Sequence, residues 1–362
     1  MDDIWILGAT GRSGRAAAAH LAATGLSPVL VGRDAGRLAQ TAAAIGRDLP
    51  IRALASVADI AREIARDRPA MVVNTIGPFT QSALPIATAC LAGRAHYVDL
   101  SNEVFSFIDL FAVHDRAVAA GVTLVNGAGF GVLGTEAVVL KLCEGQPPAA
   151  KVRVDALPHI ITTEPDRIGD ALAATMVDNV TLGGRRYADG KLVRSPVFAD
   201  FERLTLPGGA SAHTASVPTG DLEAAHRASG APFAVAGSSM APASPLIRAL
   251  VPAALSLFRI RALRDFVRPR IAAIEIRPPD PEKARPLAPG LEFSWGHARV
   301  EWASDEVREG WLRVDDAIAF TNHVLVEVAG RLARGEGRPG VYTPGALFGA
   351  DLAVEAGGEF VL

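Results

Sequence analysis

The first third of the chain alternates short apolar runs with longer stretches that are rich in Ala and Leu. In the longer stretches, apolar residues recur at three- and four-residue spacing, which predicts helices with one buried face. Runs that are apolar throughout are typical of parallel strands covered by helices on both sides. The predicted strands are residues 4–8, 28–32, 51–53, 71–75, 96–100 and 122–126. The predicted helices are residues 11–24, 35–46, 56–67, 82–93 and 102–120.

Six strands joined by crossover helices predict an α/β fold with a doubly wound parallel sheet. The pattern changes after Gly127-Ala128-Gly129, where a predicted helix (132–143) and an extended run (152–161) begin a region of mixed strands and turns. A further helix is predicted at 315–332, and a segment rich in Gly and Pro follows it. We therefore expect a sheet domain at 1–128, an inserted α+β domain at 129–314, and a C-terminal helix and tail at 315–362.

Composition and charge exclude several classes of function. The 362 residues are 49% hydrophobic and 21% charged, which excludes intrinsic disorder. The net charge of −3 gives no overall field that would attract nucleic acid, so we expect a small-molecule partner. Cys90 and Cys143 are too few for a disulfide framework or a zinc cluster. No basic and apolar leader follows Met1, so we expect a cytoplasmic protein.

Residues 245–270 form a distinctive segment, because an apolar run that ends at Phe258 is followed by five arginines. Arg248 and Pro252 interrupt the run, which is shorter than the roughly 20 residues that a bilayer span needs, so we expect no transmembrane segment. Two interpretations stay open. The segment is either a core helix with solvated arginines, or a segment that makes a peripheral contact with a membrane surface or binds an acyl chain.

A glycine motif follows the first strand directly and begins the first helix. Gly8 permits a tight turn, Gly11 lets the backbone approach a pyrophosphate, and Gly14 lets the helix pack close to the sheet. The helix N-terminus offers free N–H groups and the positive end of its dipole to the phosphates. The motif predicts a Rossmann-type dinucleotide site. The other predicted contacts in this turn are Thr10, Arg12 and Ser13.

The end of the second strand indicates which dinucleotide binds. An NAD site places a carboxylate at this strand tip to accept the ribose hydroxyls, whereas this chain has Arg33 there. A guanidinium binds a 2′-phosphate through two parallel hydrogen bonds, which favours NADP(H). Asp34 follows immediately, and it would either reach the ribose or cap the next helix.

The fourth strand ends in a run that should lie beside the first strand, at the edge of the sheet where ligands bind. We expect Asn74, Thr75, Gly77 and Pro78 to contact the cofactor and Phe79 to lie against the nicotinamide. The alternative is a plain turn between a strand and a helix.

Tyr97 and Asp99 share one face of the fifth strand, because side chains alternate along a strand. Asp99 lies at the carboxyl end of the strand and Ser101 and Glu103 follow it, so these polar groups are candidates for substrate binding and proton transfer. The alternative is that Ser101 and Glu103 only cap the next helix. Glu136 is a further candidate for substrate binding. The alternative is that its charge only interacts favourably with a helix N-terminus.

Other candidate motifs have simpler explanations. Tyr187 and Lys191 match the Tyr-x-x-x-Lys spacing of short-chain dehydrogenases, but Asp189-Gly190 between them predicts a hairpin turn. His114 lies beside an apolar helix stripe, and His159 is most simply a surface or strand-end residue. The histidines and cysteines nowhere have metal-ligand spacing, and the chain has no nucleophile elbow of a serine hydrolase.

Three further runs carry a family resemblance: VVNTIGPF at 72–79, CLAGRAHYVDLSNE at 90–103 and GAGF at 127–130. With the glycine motif, they resemble the saccharopine dehydrogenase-like family of NADP-binding reductases over residues 1 to about 136, and weakly again near 338–344. The resemblance implies a Rossmann domain, a second domain for substrate and dimer contacts, and a C-terminal segment that returns to the first domain. Members reduce an imine formed from an amino acid and a keto acid, and relatives reduce lipid enoyl groups.

The chain departs from the family after Gly129-Phe130. The family often has Asp, Pro and Asp there, whereas this chain has Gly131, Gly134 and Glu136, which weakens the case for an amino-acid substrate. We predict an NADPH-dependent reductase of a C=N or polarised C=C bond in a small or acyl substrate, acting as a homodimer. A non-catalytic NADP(H) sensor that regulates a partner is the alternative. Catalytic roles are predicted for Tyr97, Asp99 and Glu103, and substrate contacts for Phe79, Ser101, Phe130 and Glu136.

Overall fold

The computed structural model describes residues 3–160, 166, 167, 169, 173, 177, 183–242, 261–276 and 287–362. The predicted apolar run at 245–258 lies outside these residues. The chain divides into two compact units. The first unit contains Met1–Ser101, Phe105–Gly129 and Thr321–Phe348. The second unit contains Asn102–Val104, Phe130–Phe320 and Gly349–Leu362, so the last residues of the chain belong to it.

The first unit has a seven-stranded sheet in the order β17-β6-β5-β4-β1-β2-β3, with all neighbours parallel. This arrangement confirms the predicted doubly wound sheet and all six predicted strands. The seventh strand comes from the end of the chain and was not predicted, because it is three residues long and lies in a Gly- and Pro-rich segment. The strands are β1 Ile4–Leu7, β2 Pro28–Gly32, β3 Ile51–Ala53, β4 Met71–Asn74, β5 His96–Asp99, β6 Thr123–Val125 and β17 Gly340–Tyr342.

The strands at the centre of this sheet are buried along their whole length, as expected for a sheet covered on both faces. Trp5, Ile86, Tyr97 and Leu124 lie in one continuous apolar core. The helices that follow the strands are α1 Arg12–Ala23, α2 Ala35–Ile45, α3 Val57–Asp67, α4 Phe79–Gly93, α5 Val104–Phe111 and α6 His114–Ala120.

The single helix predicted at 102–120 is wrong, because the chain turns between α5 and α6. The N–H group of Val113 donates to the carbonyl oxygen of Leu110 (3.1 Å), which is a tighter turn than an α-helix makes. Leu110, Val113 and Ala117 are all buried. The apolar spacing therefore continues through the turn, and the sequence pattern carries no signal of the break.

The C-terminal strand β17 is held beside β6 by side chains as well as by the ladder. The N–H group of Val341 donates to Nδ1 of His114 (3.1 Å), and the Thr123 hydroxyl donates to the carbonyl oxygen of Arg338 (2.9 Å). The N–H group of Thr123 donates in turn to Nδ1 of His96 (3.0 Å). Two imidazoles therefore act as acceptors at this edge of the sheet.

The second unit has a nine-stranded mixed sheet, in the order β10-β9-β13-β7-β15-β16-β18, with β12 beside β13 and β11 beside β12. The β13–β7 pair is parallel and the other pairs are antiparallel. A separate pair is formed by β8 Asp166–Arg167 and β14 Glu275–Ile276. The sheet strands are β7 Lys151–Leu157, β9 Gly184–Ala188, β10 Lys191–Ser195, β11 Glu202–Thr205, β12 Ser211–Ser216, β13 Phe233–Ser238, β15 Ser294–Glu301, β16 Val307–Val314 and β18 Glu359–Val361.

The remaining helices are α7 Phe130–Cys143, α8 Gly220–Ser229, α9 Arg261–Ala272, α10 Ala317–Ala333, α11 Pro344–Phe348 and α12 Leu352–Glu355. Helix α7 packs directly on the sheet, since a Cβ atom at Gly296 of β15 would lie 1.8 Å from the carbonyl oxygen of Gly134. A Cβ atom at Gly131 would lie 2.4 Å from the side-chain nitrogen of Asn102. A Cβ atom at Gly134 would lie 3.0 Å from the Phe130 ring, so both glycines that depart from the family pattern lie in closely packed surroundings.

Candidate functional site

The glycine motif forms the turn between β1 and α1. Gly8 has a φ of +76°, which favours glycine, and a Cβ atom at Gly14 would lie 2.3 Å from the Gly8 carbonyl oxygen. At Gly11, by contrast, the added Cβ would meet only that same oxygen, at 3.2 Å. Gly14 thus serves close packing, and Gly11 leaves an open approach to the backbone. Both roles match those predicted for a pyrophosphate-binding turn.

The N-terminus of α1 is suited to an anion. Gly11 is its N-cap residue, and this residue makes no side-chain cap to the N–H groups of the first turn. Thr10, Arg12 and Ser13 are half-buried in the same turn. These N–H groups and the helix dipole fit a dinucleotide pyrophosphate, so the structure brings the predicted phosphate contacts together.

Arg33 lies at the carboxyl end of β2, close to the glycine turn. The carbonyl oxygen of Val31 accepts the N–H groups of Gly8 (3.0 Å) and Ala9 (3.2 Å), which fixes the turn against this strand. Arg33 is exposed, and among the described residues its guanidinium has no hydrogen bond or ion pair. A free guanidinium at this position fits the 2′-phosphate of NADP(H).

Asp34 has a different role. Its carboxylate accepts the N–H group of Arg37 (3.0 Å), so Asp34 is the N-cap of α2. Of the two interpretations that the sequence left open for this residue, the structure shows the helix cap.

The end of β4 is joined to the end of β1. The Thr75 hydroxyl donates to the Leu7 carbonyl oxygen (2.7 Å), and the Thr75 N–H group donates to the same oxygen (3.1 Å). Gly77 is half-buried, its peptide bond to Pro78 is cis, and Pro78 is the N-cap of α4. Phe79 begins that helix and is 6% exposed within the core. Thr75, Gly77 and Pro78 therefore lie at the same edge as the glycine turn, whereas Phe79 points mainly into the protein.

Asp99 organises the carboxyl ends of the neighbouring strands and is fully buried. Its carboxylate accepts hydrogen bonds from the Tyr97 hydroxyl (2.8 Å) and the Asn126 amide (3.0 Å). It also accepts the N–H groups of Ser101 (3.0 Å) and Gly127 (2.9 Å). These donors hold the carboxylate in place. The contacts give Asp99 a structural role, and its catalytic role stays a prediction.

Tyr97 is fully buried beside it. Burial and the nearby Asp99 carboxylate raise the pKa of Tyr97 well above its ordinary value, so the phenol stays protonated at neutral pH. The Asn74 amide donates to the Tyr97 oxygen (3.1 Å) and to the hydroxyl of Ser82 (3.3 Å). The predicted cofactor residue Asn74 and the predicted catalytic residues Tyr97 and Asp99 thus share one buried polar network.

Ser101 belongs to the first unit and is buried, whereas Glu103, Phe130 and Glu136 belong to the second unit and are 0%, 4% and 1% exposed. The predicted site residues therefore fall into two groups, one in each unit. Helix α5 begins at Val104, so Ser101 lies outside the N-cap position that the alternative interpretation gave it.

Glu103 lies in a polar cluster of the second unit that the sequence did not reveal as a whole. Its carboxylate accepts the N–H group of Asn102 (3.1 Å), and its backbone pairs with Thr219. Asp221, in the first turn of α8, accepts the hydroxyl of Thr135 (2.8 Å) and is 2% exposed. Burial raises the pKa of Asp221 to about 6, although the hydrogen bond from Thr135 opposes this.

Sequence reasoning missed several polar residues. Asn126 ends β6 as Asn74 and Asp99 end β4 and β5, so a polar residue at a third strand tip was an available signal. Asn126 Oδ1 is buried and has no hydrogen-bond partner among the described residues. Asp221 carried no signal, since its partner Thr135 is 86 residues away in the chain.

A buried charge cluster in the second unit was also missed. Nδ1 of His297 lies 3.2 Å from Asp155, and Nε2 lies 3.0 Å from Glu309. Burial alone would lower the pKa of His297, but hydrogen bonds and the charges of both carboxylates raise it. Arg153 donates to both oxygens of Asp155 (2.9 and 2.8 Å). This cluster joins β7, β15 and β16.

The Tyr187/Lys191 pair is a hairpin, as predicted. Tyr187 lies in β9 and Lys191 in β10, and the two strands pair antiparallel around Asp189-Gly190, both of which have positive φ. The helical geometry that a Tyr-Lys proton relay needs is absent from this hairpin.

The chain is similar to known proteins in both sequence and fold. The family model described as the saccharopine dehydrogenase NADP binding domain matches residues 4–125. The trans-acting enoyl reductase of Mycobacterium tuberculosis is 31% identical over 148 residues, which is 39% of this chain and 35% of that protein. The trans-acting enoyl reductase of Mycobacterium leprae is 33% identical over 136 residues, which is 35% of this chain and 32% of that protein. The match thus spans about a third of the length of these curated relatives.

Among solved structures, saccharopine dehydrogenase (L-Glu forming) from Saccharomyces cerevisiae matches all of this chain and all of that chain, with a TM-score of 0.57 and 12% identity. At this identity the match shows a shared fold alone. The sequence match carries the assignment of the first unit, whose glycine turn and Arg33 fit the cofactor. Residues 4–125 therefore match a saccharopine dehydrogenase NADP binding domain, which fits NADP(H) as the cofactor of the first unit.

Proposed function

We propose that the protein is an NADPH-dependent reductase that transfers a hydride to a polarised C=C bond, or to a C=N bond, of a small or acyl substrate. The observation that carries this proposal is the cradle in the first unit. It combines the open backbone at Gly11, the N-terminus of α1 without a side-chain cap from Gly11, and the guanidinium of Arg33 at the tip of β2, which has no partner in the described part of the chain. A carboxylate that would select NAD(H) is not free there, because Asp34 caps α2.

NADPH, when bound, supplies the hydride. The residues of this chain bind and orient it: the α1 N–H groups and Gly11 take the pyrophosphate, and Arg33 takes the 2′-phosphate. Thr75, held on the carbonyl oxygen of Leu7, fixes the end of β4 against the glycine turn. The buried pair of Tyr97 and Asp99 holds the end of β5 in place, and the proton of their hydrogen bond stays on the Tyr97 phenol.

We favour the C=C bond over the C=N bond for two reasons. The relatives that match at 31% and 33% identity are named enoyl reductases. In addition, this chain has Gly131, Gly134 and Glu136 where the family often has Asp, Pro and Asp, and both glycines lie in closely packed surroundings. An imine acceptor remains the second candidate because the whole fold matches a saccharopine dehydrogenase.

The test is the oxidation of NADPH, followed by its absorbance, with a panel of enoyl thioesters, cyclic imines and pairs of an amino acid with a keto acid. We expect turnover with an enoyl thioester and slower turnover, or none, with imines. Tight NADPH binding without oxidation by any member of the panel would favour the alternative of a regulatory NADP(H) sensor.

Gly11→Val provides a matched test of the cradle. A valine side chain would occupy the backbone approach, so we expect NADPH titration to be lost while the circular dichroism spectrum is retained. Gly330→Val, which places the same side chain in α10, is the control and should bind NADPH normally. Unchanged binding by folded Gly11→Val protein would contradict the cradle.

A further inference from the structure

Helix α9 has a charge that is unusual for this chain. Its twelve residues contain four arginines and one aspartate, which gives a net charge of +3, whereas the whole protein has a net charge of −3. A short helix with this charge produces a local positive field that the composition of the whole chain conceals.

The exposed side of α9 carries apolar side chains beside charged ones. Phe266 is 56% exposed, and Ile274, just beyond the helix, is 51% exposed. Pro269, three residues after Phe266, is exposed on the same side of the helix, and Asp265 and Arg270 are exposed beside these two residues. Ala273 is exposed just after the helix ends. An ordinary surface helix has polar residues on its exposed side, so the exposed apolar side chains here indicate a partner.

Arg270 is part of the same face. Its guanidinium lies over the ring of Phe266, 3.4 Å from the ring centroid, and donates to the Phe266 carbonyl oxygen (2.6 Å). Arg264 and Arg268 lie on the half-buried flank of the helix. The face therefore combines apolar side chains with cationic groups whose long stems reach its border.

The charge decides which partner fits. A second copy of the helix would bring a charge of +3 against a charge of +3, so pairing of α9 with itself is unfavourable. An anionic bilayer surface offers both acyl chains for Phe266 and Ile274 and negative head groups for the arginines. The helix is too short to cross a membrane, and no helix in the described part of the chain is long and apolar enough to do so.

We infer that α9 is a membrane-surface helix that binds anionic lipid bilayers, with Phe266 and Ile274 inserted at the head-group level and the arginines on the phosphates. The sequence supports the same conclusion, since the fourteen residues that end at Phe258 shortly before this helix are mostly apolar. The inference is independent of the reaction that the protein catalyses.

The experiment is co-sedimentation of the full chain with phosphatidylcholine vesicles and with vesicles that also contain phosphatidylglycerol. We expect binding to the anionic vesicles only, and weaker binding as the salt concentration rises. The triple variant Arg264→Gln/Arg268→Gln/Arg270→Gln should bind about 100-fold more weakly, because each arginine near an anionic surface contributes about fivefold. Phe266→Ser/Ile274→Ser should also bind more weakly, with the charge of the protein unchanged.

The control variant loses the same number of positive charges in the first unit. Arg47→Gln/Arg62→Gln/Arg116→Gln removes three exposed arginines of the first unit and should bind anionic vesicles as the unaltered protein does. NADPH titration of every variant verifies that each one is folded. Equal sedimentation with neutral and anionic vesicles, or no difference between the two triple variants, would overturn the inference. So would a dimer in light scattering that the Phe266→Ser/Ile274→Ser variant dissociates, because the face would then bind a second copy.

Discussion

Arg33 is the residue that most directly sets cofactor preference. Its guanidinium is exposed at the end of β2 and unpaired among the described residues. We expect Arg33→Ala to weaken NADPH binding by about 1.5–3 kcal/mol, the contribution of a charged hydrogen bond, and to leave NADH binding nearly unchanged. Titration of both cofactors measures the difference. The control Arg62→Ala removes an arginine that is 70% exposed on α3 and should affect neither cofactor.

If NADPH and NADH weaken equally in Arg33→Ala, the assignment of this residue to the 2′-phosphate is wrong. Asp34→Ala offers a second comparison at the adjacent position. It removes the cap of α2 and should cost about 1 kcal/mol of stability, with the preference between NADPH and NADH unchanged.

Asp221 and Asp155 are both buried, yet the same substitution should have opposite effects. Burial raises the pKa of Asp221 to about 6, so the folded protein keeps this proton at pH values where the unfolded chain has lost it. The stability contributed by the group is therefore greatest below its ordinary pKa and falls as the pH rises toward 6. Above that pH range, the buried carboxylate lowers the free energy of unfolding by about 3 kcal/mol. Asp221→Asn should accordingly stabilise the protein by about 1–3 kcal/mol near pH 7.5.

Asp155 is the matched comparison. Burial would raise its pKa, but hydrogen bonds from His297 and Arg153 outweigh this and lower it. Asp155→Asn removes the fully buried carboxylate that His297 and Arg153 share, although these residues retain Glu309 and Glu202 as partners, so we expect a loss of about 3 kcal/mol near pH 7.5. Urea unfolding at several pH values measures both variants. Destabilisation of the protein by Asp221→Asn above pH 7 would contradict the assignment of an uncompensated carboxylate to that position.

At the scale of elements, we expect the edge formed by β6 and β17 to depend on a neutral His96. Burial lowers the pKa of His96, whose Nδ1 accepts the N–H group of Thr123. A lowered pKa means that the associated stability is complete above the ordinary pKa of histidine and is lost as the pH falls below about 6.5. We expect thermal stability to decrease from about pH 7.5 to about pH 5.5.

His96→Asn tests this, because an asparagine oxygen can accept the same N–H group but does not titrate. The variant should lose less stability on acidification than the unaltered protein, by about 1 kcal/mol. His213→Asn, at an exposed histidine of β12, should retain the original pH dependence. If the two variants respond to acid identically, His96 does not carry the effect.

The elements also differ in how well the sequence specifies them. β1, α1 and β2 could be predicted because each is a continuous apolar or periodic run with glycines where the chain turns. β17 could not, since its burial depends on pairing with β6, a strand that lies more than 200 residues earlier. The same difference between local and long-range signals applies to the residues of the candidate site. Gly8, Gly11 and Gly14 act locally and were predictable, whereas the partners of Asp99 become neighbours only when β4, β5 and β6 are assembled.

The whole molecule contributes to the cofactor site through its C-terminus. Truncation after Arg334 removes β17 and exposes the edge of β6, so we expect lower thermal stability and about tenfold weaker NADPH binding. Truncation after Phe348 is the control. It removes β18, a strand of the second sheet, and should lower stability without changing NADPH affinity. Full NADPH affinity after the longer truncation would show that β17 does not support the cofactor site.

The position of β17 also has a consequence for synthesis on the ribosome. Thr123 and Arg338, which are hydrogen-bonded at the closing edge of the first sheet, are 215 residues apart. Translation of that interval takes about 10–45 s at typical elongation rates. During this time the nascent chain has produced six strands of the sheet, while the edge of β6 is still unpaired and open to wrong partners. The domain whose sequence comes first is therefore completed only after most of the second unit has been made.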